Sequence, residues 1–440
     1  MTHGFDAEAF RADARAATDW VESFLERLPG LPVFPRVAPG DIRAKLPTSA
    51  PERGEPFSQL LADLDEIIVP GLTHWNHPRF FAYFSITASP PGILSELLIA
   101  AMNVNGMTWS TSPAFSELEA TVMDWLAELF GLPAGWHGHI EDTASTSTLS
   151  ALAAARTLRP GGIVYASEQA NFSVEKAARL LGLEYRTVPT DSAFRMRAEL
   201  VDYDAATAVV PTVGTTATTS VDPVAAIADG CERSGAWLHV DAAYAGSGWV
   251  CPELRWSLEG VERADSVVVN PHKWLFTPLD CSTLWTRRPE AFVSAFSARP
   301  AYMQPSVGDV LDLRDVTPAL GRRFRALKLW AVLRSFGREG LQHAIREHVR
   351  LAQLLASWVA AEPGWEVTAP HPFSVVCFRH EGSDDANRAT IERVNASGLA
   401  YLAGTVLDGR FVLRIAIGHE RTTEDDVRST WEALRDAASA

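Results

Sequence analysis

Ser266-Val267-Val268-Val269-Asn270-Pro271-His272-Lys273-Trp274 sets a histidine and a lysine just behind a short β-branched run. Such a run reads as a buried strand, so Lys273 emerges close to where that strand ends. An isolated lysine there is ordinarily a surface residue. Burial beside an apolar strand instead favours the free amine, which is the form that condenses with an aldehyde. Upstream, His239-Val240-Asp241-Ala242-Ala243-Tyr244 brings a second β-rich run to an aspartate. Similar runs at 162–166, 207–213, 236–241, 265–269 and 282–286 are interspersed with helical patterns at 172–182, 223–233 and 320–336. This alternation predicts an α/β fold, a mostly parallel sheet flanked by helices. Ligands of such sheets bind at the carboxyl ends of the strands, where Asp241 and Lys273 both fall.

Before this region, Phe10, Ala14, Ala17, Val21, Phe24 and Leu28 recur at helical spacing and predict a helix over 5–28. Prolines 32, 35, 39, 47 and 51 make residues 29–56 an extended connector. A second helix is expected over 57–68. Ser112-Pro113 reads as an N-cap followed by a first-turn proline, and Gly131 as the stop. The last hundred residues read as a smaller α+β region. Its strands are expected at 374–378 and 411–416, and Thr423 to Asp426 has capping-box spacing.

A chain of 440 residues exceeds one ordinary core and should divide. Its net charge of −15 argues against a nucleic-acid partner. Cys231, Cys251, Cys281 and Cys377 are scattered and lack metal-ligand spacing, so no metal is expected. They read as reduced thiols of a cytoplasmic protein. The start lacks the pattern of a signal peptide. The apolar stretch near Gly92–Val104 contains Glu96 and is too short to span a membrane.

The strings at 239–246 and 270–274 resemble the group II pyridoxal-phosphate-dependent decarboxylases, in their aromatic L-amino acid decarboxylase branch. Thr73-His74-Trp75, Phe80 to Phe84, Gly214-Thr215-Thr216, Asp280-Cys281-Ser282, Gly321 to Arg325 and Val376 to Arg379 extend the likeness. It implies a fold-type I architecture in three parts. These are a helical dimerisation segment over 1–72, a large coenzyme domain over 73–336 and a small α+β domain over 337–440. It also implies a homodimer with shared active sites.

The resemblance gives the site as follows. Lys273 binds pyridoxal 5'-phosphate and Asp241 meets its ring nitrogen. Ala243 lies under the ring, and Thr216 makes a polar contact near it. Ala144, Ser145, Asn270 and His272 hold the phosphate. Glu141 and Asp142 precede this cradle, where two acids are unexpected unless they point away. Asn171 stands where relatives carry a ring-stacking histidine. An amide stacks but does not titrate near neutral pH. Tyr302, in a stretch that reads as a mobile loop, is the implied catalytic proton donor. Trp75, Tyr83 and Phe84 match substrate-pocket positions. Asn105 and Met107 replace an apolar–glycine–aromatic pattern contributed across the dimer. His74 and Arg314 match positions near the site.

These features imply decarboxylation of an aromatic or large apolar L-amino acid through an external aldimine and a quinonoid. Because Asn171 replaces the histidine, oxidative deamination to an aldehyde with dioxygen stands as the alternative. A coenzyme-binding module without turnover is the third reading.

Overall fold

A computed structural model describes residues 5–298 and 310–439. Seven strands build its larger sheet: β1 (His137–Glu141), β2 (Ile163–Ser167), β3 (Glu184–Val188), β4 (Ala206–Val210), β5 (Trp237–Asp241), β6 (Ser266–Val269) and β7 (Ser282–Thr286). Their order is β1-β7-β6-β5-β4-β2-β3. From β3 to β6 every neighbouring pair is parallel. β7 alone runs against both its neighbours. The architecture is therefore the mostly parallel, helix-flanked sheet of fold type I.

The valines of β6 explain why its sequence is apolar without alternation. Val267 and Val269 belong to one core cluster and Val268 to another, so the sheet is covered on both faces. The helices Ala144–Leu158 and Ser173–Leu180 line the Val268 side through Ala151, Leu152, Val174 and Ala178. The helix Pro113–Phe130 lines the other through Val122, Met123, Leu126 and Phe130. Ser112 occupies its N-cap position without a side-chain capping bond, and Gly131 ends it in the left-handed region.

Four antiparallel strands form the second sheet: β8 (Trp365–Val367), β9 (Val375–His380), β10 (Ala403–Leu407) and β11 (Arg410–Ala416). The order is β10-β11-β9-β8. Val376, Phe378, Leu413 and Ile415 pack against Ile391, Trp431 and Leu434 of the helices Asp384–Ser397 and Glu424–Ser439. Thr423 and Asp426 exchange bonds at the start of the latter. The Asp426 N–H donates to Thr423 Oγ1 at 3.3 Å, and the Thr423 N–H donates to Asp426 Oδ2 at 2.9 Å.

The helical pattern expected over 320–336 starts at Arg325 and continues to Ala361, with a break at Gly337. There φ is 61° and ψ is 176°, a conformation open to glycine and strained for other residues. At the amino end the helix Ala7–Arg27 is capped by Asp6 and buries none of its residues completely. Helix Phe57–Asp63 runs into a wider turn over Leu64–Ile68. None of the described helices is long and apolar enough to cross a membrane. The four cysteines are free and buried.

Candidate active site

Two backbone bonds join the ends of β5 and β6. The Ala242 N–H donates to Val268 O at 3.0 Å, and the Asn270 N–H donates to Ala243 O at 3.0 Å. On its other side Asp241 is held by Pro211 O and the Val213 N–H, at 3.0 and 2.8 Å. Its carboxylate Oδ1 accepts the Ala243 N–H at 3.0 Å. Just past β6, Pro271–Trp274 forms a single helical turn carrying Lys273. The strand pairing thus brings the aspartate and the lysine to one cavity of about 210 Å³.

That cavity is lined by Phe84, Ala144, Ser145, Asn171, Thr216, Asp241, Ala243, Asn270, His272 and Lys273 among the residues expected from sequence. Desolvation pushes the Lys273 amine below the usual lysine range. Asp241 opposes this shift and Arg414 adds to it. The lysine Nζ stands 5.2 Å from the Phe84 ring centroid. Such a lysine holds more free amine at neutral pH than an exposed one does.

Thr143 occupies the N-cap of the helix Ala144–Leu158, and no side chain caps that end. The leading N–H groups are thereby open to an anion, on the positive end of the helix dipole. Of the two acids before this cradle, Glu141 is engaged away from it and Asp142 bonds its N-cap residue. Glu141 is buried and accepts from Thr317 Oγ1 at 3.0 Å and Ser150 Oγ at 3.3 Å, and it contacts His139. Burial raises its carboxyl, but His139, Arg322 and Thr317 outweigh this and hold it low. Asp142 accepts from the Thr143 N–H at 2.5 Å.

His272 is neutral, its pKa brought down to about 3 chiefly by burial, with Lys273 adding to the shift. Its Nδ1 accepts the Cys281 N–H at 3.0 Å, so the proton must sit on Nε2. Nε2 lies 3.2 Å from the Asn270 amide nitrogen, while the Asn270 amide oxygen is buried without a partner among the described residues. Two donors facing each other with an acceptor stranded is the signature of an inverted amide. Turned over, Asn270 accepts from His272 and frees its NH₂ for an anion. Gly214 closes another wall. Its φ is +86°, and a Cβ there would meet the Ala245 Cβ at 2.5 Å.

A buried amine, a carboxylate facing it, the small Ala243 wall and a helix N-terminus beside a spare amide donor fit pyridoxal phosphate. These residues could hold its aldehyde carbon, ring nitrogen, ring face and phosphate respectively. Among the described residues no cluster of acids, cysteines and histidines could hold a metal ion.

Other expected residues lie outside the cavity walls. Trp75 and Tyr83 stack on each other at 5.5 Å, both considerably exposed. His74 is buried against Phe24. Asn105 accepts the Arg322 N–H at 2.9 Å, and the Met107 carbonyl accepts the Arg314 N–H at 3.1 Å. Arg314 itself is buried beside Asp312. Tyr302 lies outside the described residues. The Asn171 side-chain oxygen accepts the Ser173 N–H at 3.0 Å, which fixes the amide at the entry to the next helix.

Sequence reading missed Arg414, because it sits in β11, far along the chain from every coenzyme motif. It is buried, 4.8 Å from the Phe84 centroid, and donates to Tyr83 O and Ala217 O. Its remaining nitrogen, Nη2, has no partner among the described residues. A buried arginine inside a strand was the available signal, since such a charge is costly without a function or a partner.

The model of the pyridoxal-dependent decarboxylase conserved domain matches residues 39–381. Aromatic-L-amino-acid decarboxylase of Sus scrofa is 39% identical, the match covering 99% of this chain and 97% of that protein. Phenylacetaldehyde synthase of a Rosa hybrid cultivar is 38% identical, covering 100% and 96%. The crystal structure of Oryza sativa TDC with PLP and tryptamine superposes with a TM-score of 0.96 at 38% identity, covering 100% and 99% of the two chains. With its sheet, its lysine–aspartate cavity and this likeness along the whole chain, the protein belongs to the pyridoxal-dependent decarboxylase family.

Proposed function

We propose that this chain decarboxylates an aromatic L-amino acid to the corresponding amine. The observation carrying this reading is the cavity in which Lys273 and Asp241 meet beside the start of the helix Ala144–Leu158. Pyridoxal phosphate, when bound, supplies a sink for the electron pair left at the α-carbon. Lys273 binds the coenzyme covalently and releases it to the substrate amine. Asp241 keeps a proton on the ring nitrogen by its negative charge. Ala144, Ser145, Asn270, His272 and Thr216 hold and orient the coenzyme, with Ala243 beneath its ring.

Arg414, buried 4.8 Å from the Phe84 centroid with Nη2 unpartnered among the described residues, receives the substrate carboxylate. Phe84 offers an apolar face to the substrate ring. Trp75, Tyr83, His74 and Arg314 surround the approach, and Asn105 and Met107 act from a partner subunit. Tyr302 protonates the α-carbon.

Asn171 favours a second reading. An amide offers no titratable proton, so one donor to the α-carbon is lost and the step leans on Tyr302. If that step is slow, dioxygen intervenes. Amino acid, dioxygen and water then give aldehyde, carbon dioxide, ammonia and hydrogen peroxide. The coenzyme-loaded protein should be incubated in air with phenylalanine, tyrosine, tryptophan and dihydroxyphenylalanine, and amine, aldehyde and peroxide measured. Amine without peroxide supports decarboxylation alone, whereas peroxide equal to substrate consumed supports the second reading. Asn171→His should lower the peroxide-to-amine ratio, and Tyr302→Phe should raise it.

The working unit is a homodimer in the cytoplasm. An apolar groove of about 620 Å³ lies between the helices Ala7–Arg27 and Pro90–Met102, lined by Phe10, Val21, Leu25, Ile93, Leu94 and Leu97. Leu94, Leu97 and Leu98 are each more than half exposed, which a second copy would relieve. Leu97→Glu should shift the mass measured by light scattering from dimer to monomer. The chain divides functionally at residues 72 and 336, the second boundary adjoining the break at Gly337.

A further inference from the structure

Tyr244 has no part in the chemistry above, yet it is buried at the back of the site. It follows the Asp241-Ala242-Ala243 turn, and its ring is stacked between two others. Phe84 lies on it at 3.9 Å and 18°, and Trp274 at 4.9 Å and 15°. Phe84 in turn stands 5.2 Å from the Lys273 amine and 4.8 Å from the Arg414 guanidinium. One aromatic ring therefore holds two like charges near each other, and Tyr244 backs that ring.

The phenol is fixed by residues from the other sheet. Its oxygen lies 2.5 Å from Ser374 Oγ, just before β9. Ser374 Oγ donates its single proton to Ile417 O, just after β11. The direction follows: Tyr244 donates to Ser374, which donates to Ile417. The Ile417 N–H closes the loop on Ser374 O at 2.8 Å. Burial raises the Tyr244 pKa, so the donor keeps its proton throughout the working range.

We propose that Tyr244, anchored on Ser374, is a positioning residue that locks Phe84 against the Lys273 amine and so couples the small sheet to the coenzyme site. The proposal rests on Lys273 being the coenzyme-binding lysine. The charged groups acting on that amine are Asp241 and Arg414. Arg414 is carried by the strand that ends beside Ile417. Loosening the Tyr244–Ser374 bond lets Phe84 and Arg414 shift relative to the amine.

The test compares Tyr244→Phe and Ser374→Ala with wild type, each as the full chain loaded with pyridoxal phosphate. Each variant deletes one end of the same hydrogen bond. The readouts are the pH midpoint of the visible band of lysine-bound coenzyme, kcat and KM separately, and the thermal midpoint. Both variants should move the band midpoint by about half a pH unit or more, and lower kcat by roughly tenfold with KM changed less. The double variant should add little to either single one. The thermal midpoint should fall by only about 2 °C, as for one buried bond in a chain of this size. Ser374→Thr, which keeps the hydroxyl, should restore the wild-type midpoint.

An unmoved band midpoint in both variants overturns the proposal. So does a shift in Tyr244→Phe that Ser374→Ala fails to reproduce. Should Tyr244→Phe not fold, Ser374→Ala and Ser374→Thr decide alone. A wild-type protein without the band sinks the Lys273 reading as well, whereas a normal wild-type band with unaltered variants sinks only the role of Tyr244.

Discussion

The larger sheet lines the cavity directly, whereas the smaller one acts from behind its wall, through Phe84 and Tyr244. The larger one is mostly parallel, so the ends of β5 and β6 converge and deliver Asp241 and Lys273 from neighbouring strands. The smaller one is antiparallel and reaches the site through Arg414 of β11 and through Ser374 and Ile417 at the strand ends. On the proposed function the large sheet carries the groups that react, and the small sheet sets their surroundings. A second tie strengthens this link. Trp274 Nε1 donates to His348 Nδ1 at 2.9 Å, and His348 Nε2 donates to His419 O at 3.0 Å.

If that division holds, the largest losses come from the large sheet. Lys273→Ala should reduce kcat/KM by roughly a thousandfold or more and abolish the lysine-bound coenzyme band. Asp241→Asn should reduce kcat by about 10²–10³-fold. The amide still accepts the Ala243 N–H, so circular dichroism should be unchanged. A small effect here, with a large one from the small sheet, would invert the comparison.

Changes in the small sheet should cost less. Arg414→Met should raise KM roughly tenfold, the scale of one lost charged hydrogen bond. It should also move the pH dependence of coenzyme capture upward. Arg414 disfavours the charged Lys273 amine, so without it the ammonium persists to higher pH.

The smallest expected effect sharpens the His348 tie. Burial lowers the pKa of His348 to about 4 and of His419 to about 3. Between those values and the unfolded value near 6.5, the unfolded chain binds more protons than the folded one. Stability therefore falls as pH falls through that window, by about 1.4 kcal/mol per pH unit for each such histidine. His348→Gln offers the same acceptor and donor without titrating. Its denaturant-derived stability between pH 6 and 5 should decline less steeply by about that amount.

The central strands were legible in the sequence and the edges were not. All five runs expected in the larger sheet correspond to β2, β4, β5, β6 and β7. The two missed strands, β1 and β3, are its edges. The small sheet repeats this: β9 and β11 were expected, and the edge strands β8 and β10 were not. A strand between two others and covered on both faces must be apolar throughout. An edge strand such as Glu184-Tyr185-Arg186-Thr187-Val188 is mostly in water and reads as a loop. At the site, ten expected residues line one cavity. Trp75, Tyr83, His74, Asn105, Met107 and Arg314 lie outside its walls within a single chain.

Legible along the chain were the lysine and aspartate motifs, the strand ends that carry them and the central strands of each sheet. Those properties are local: an apolar run, a turn and a lysine follow one another along the chain. Tertiary structure alone decided which distant groups act on that lysine. Phe84 and Arg414 are separated by hundreds of residues, yet Phe84 stands 5.2 Å from the Lys273 amine and 4.8 Å from the Arg414 guanidinium, with Tyr244 stacked behind it and bonded to Ser374. No spacing in the chain encodes that meeting. Burial does, since removing water is what lets a neighbouring charge or ring shift the amine at all.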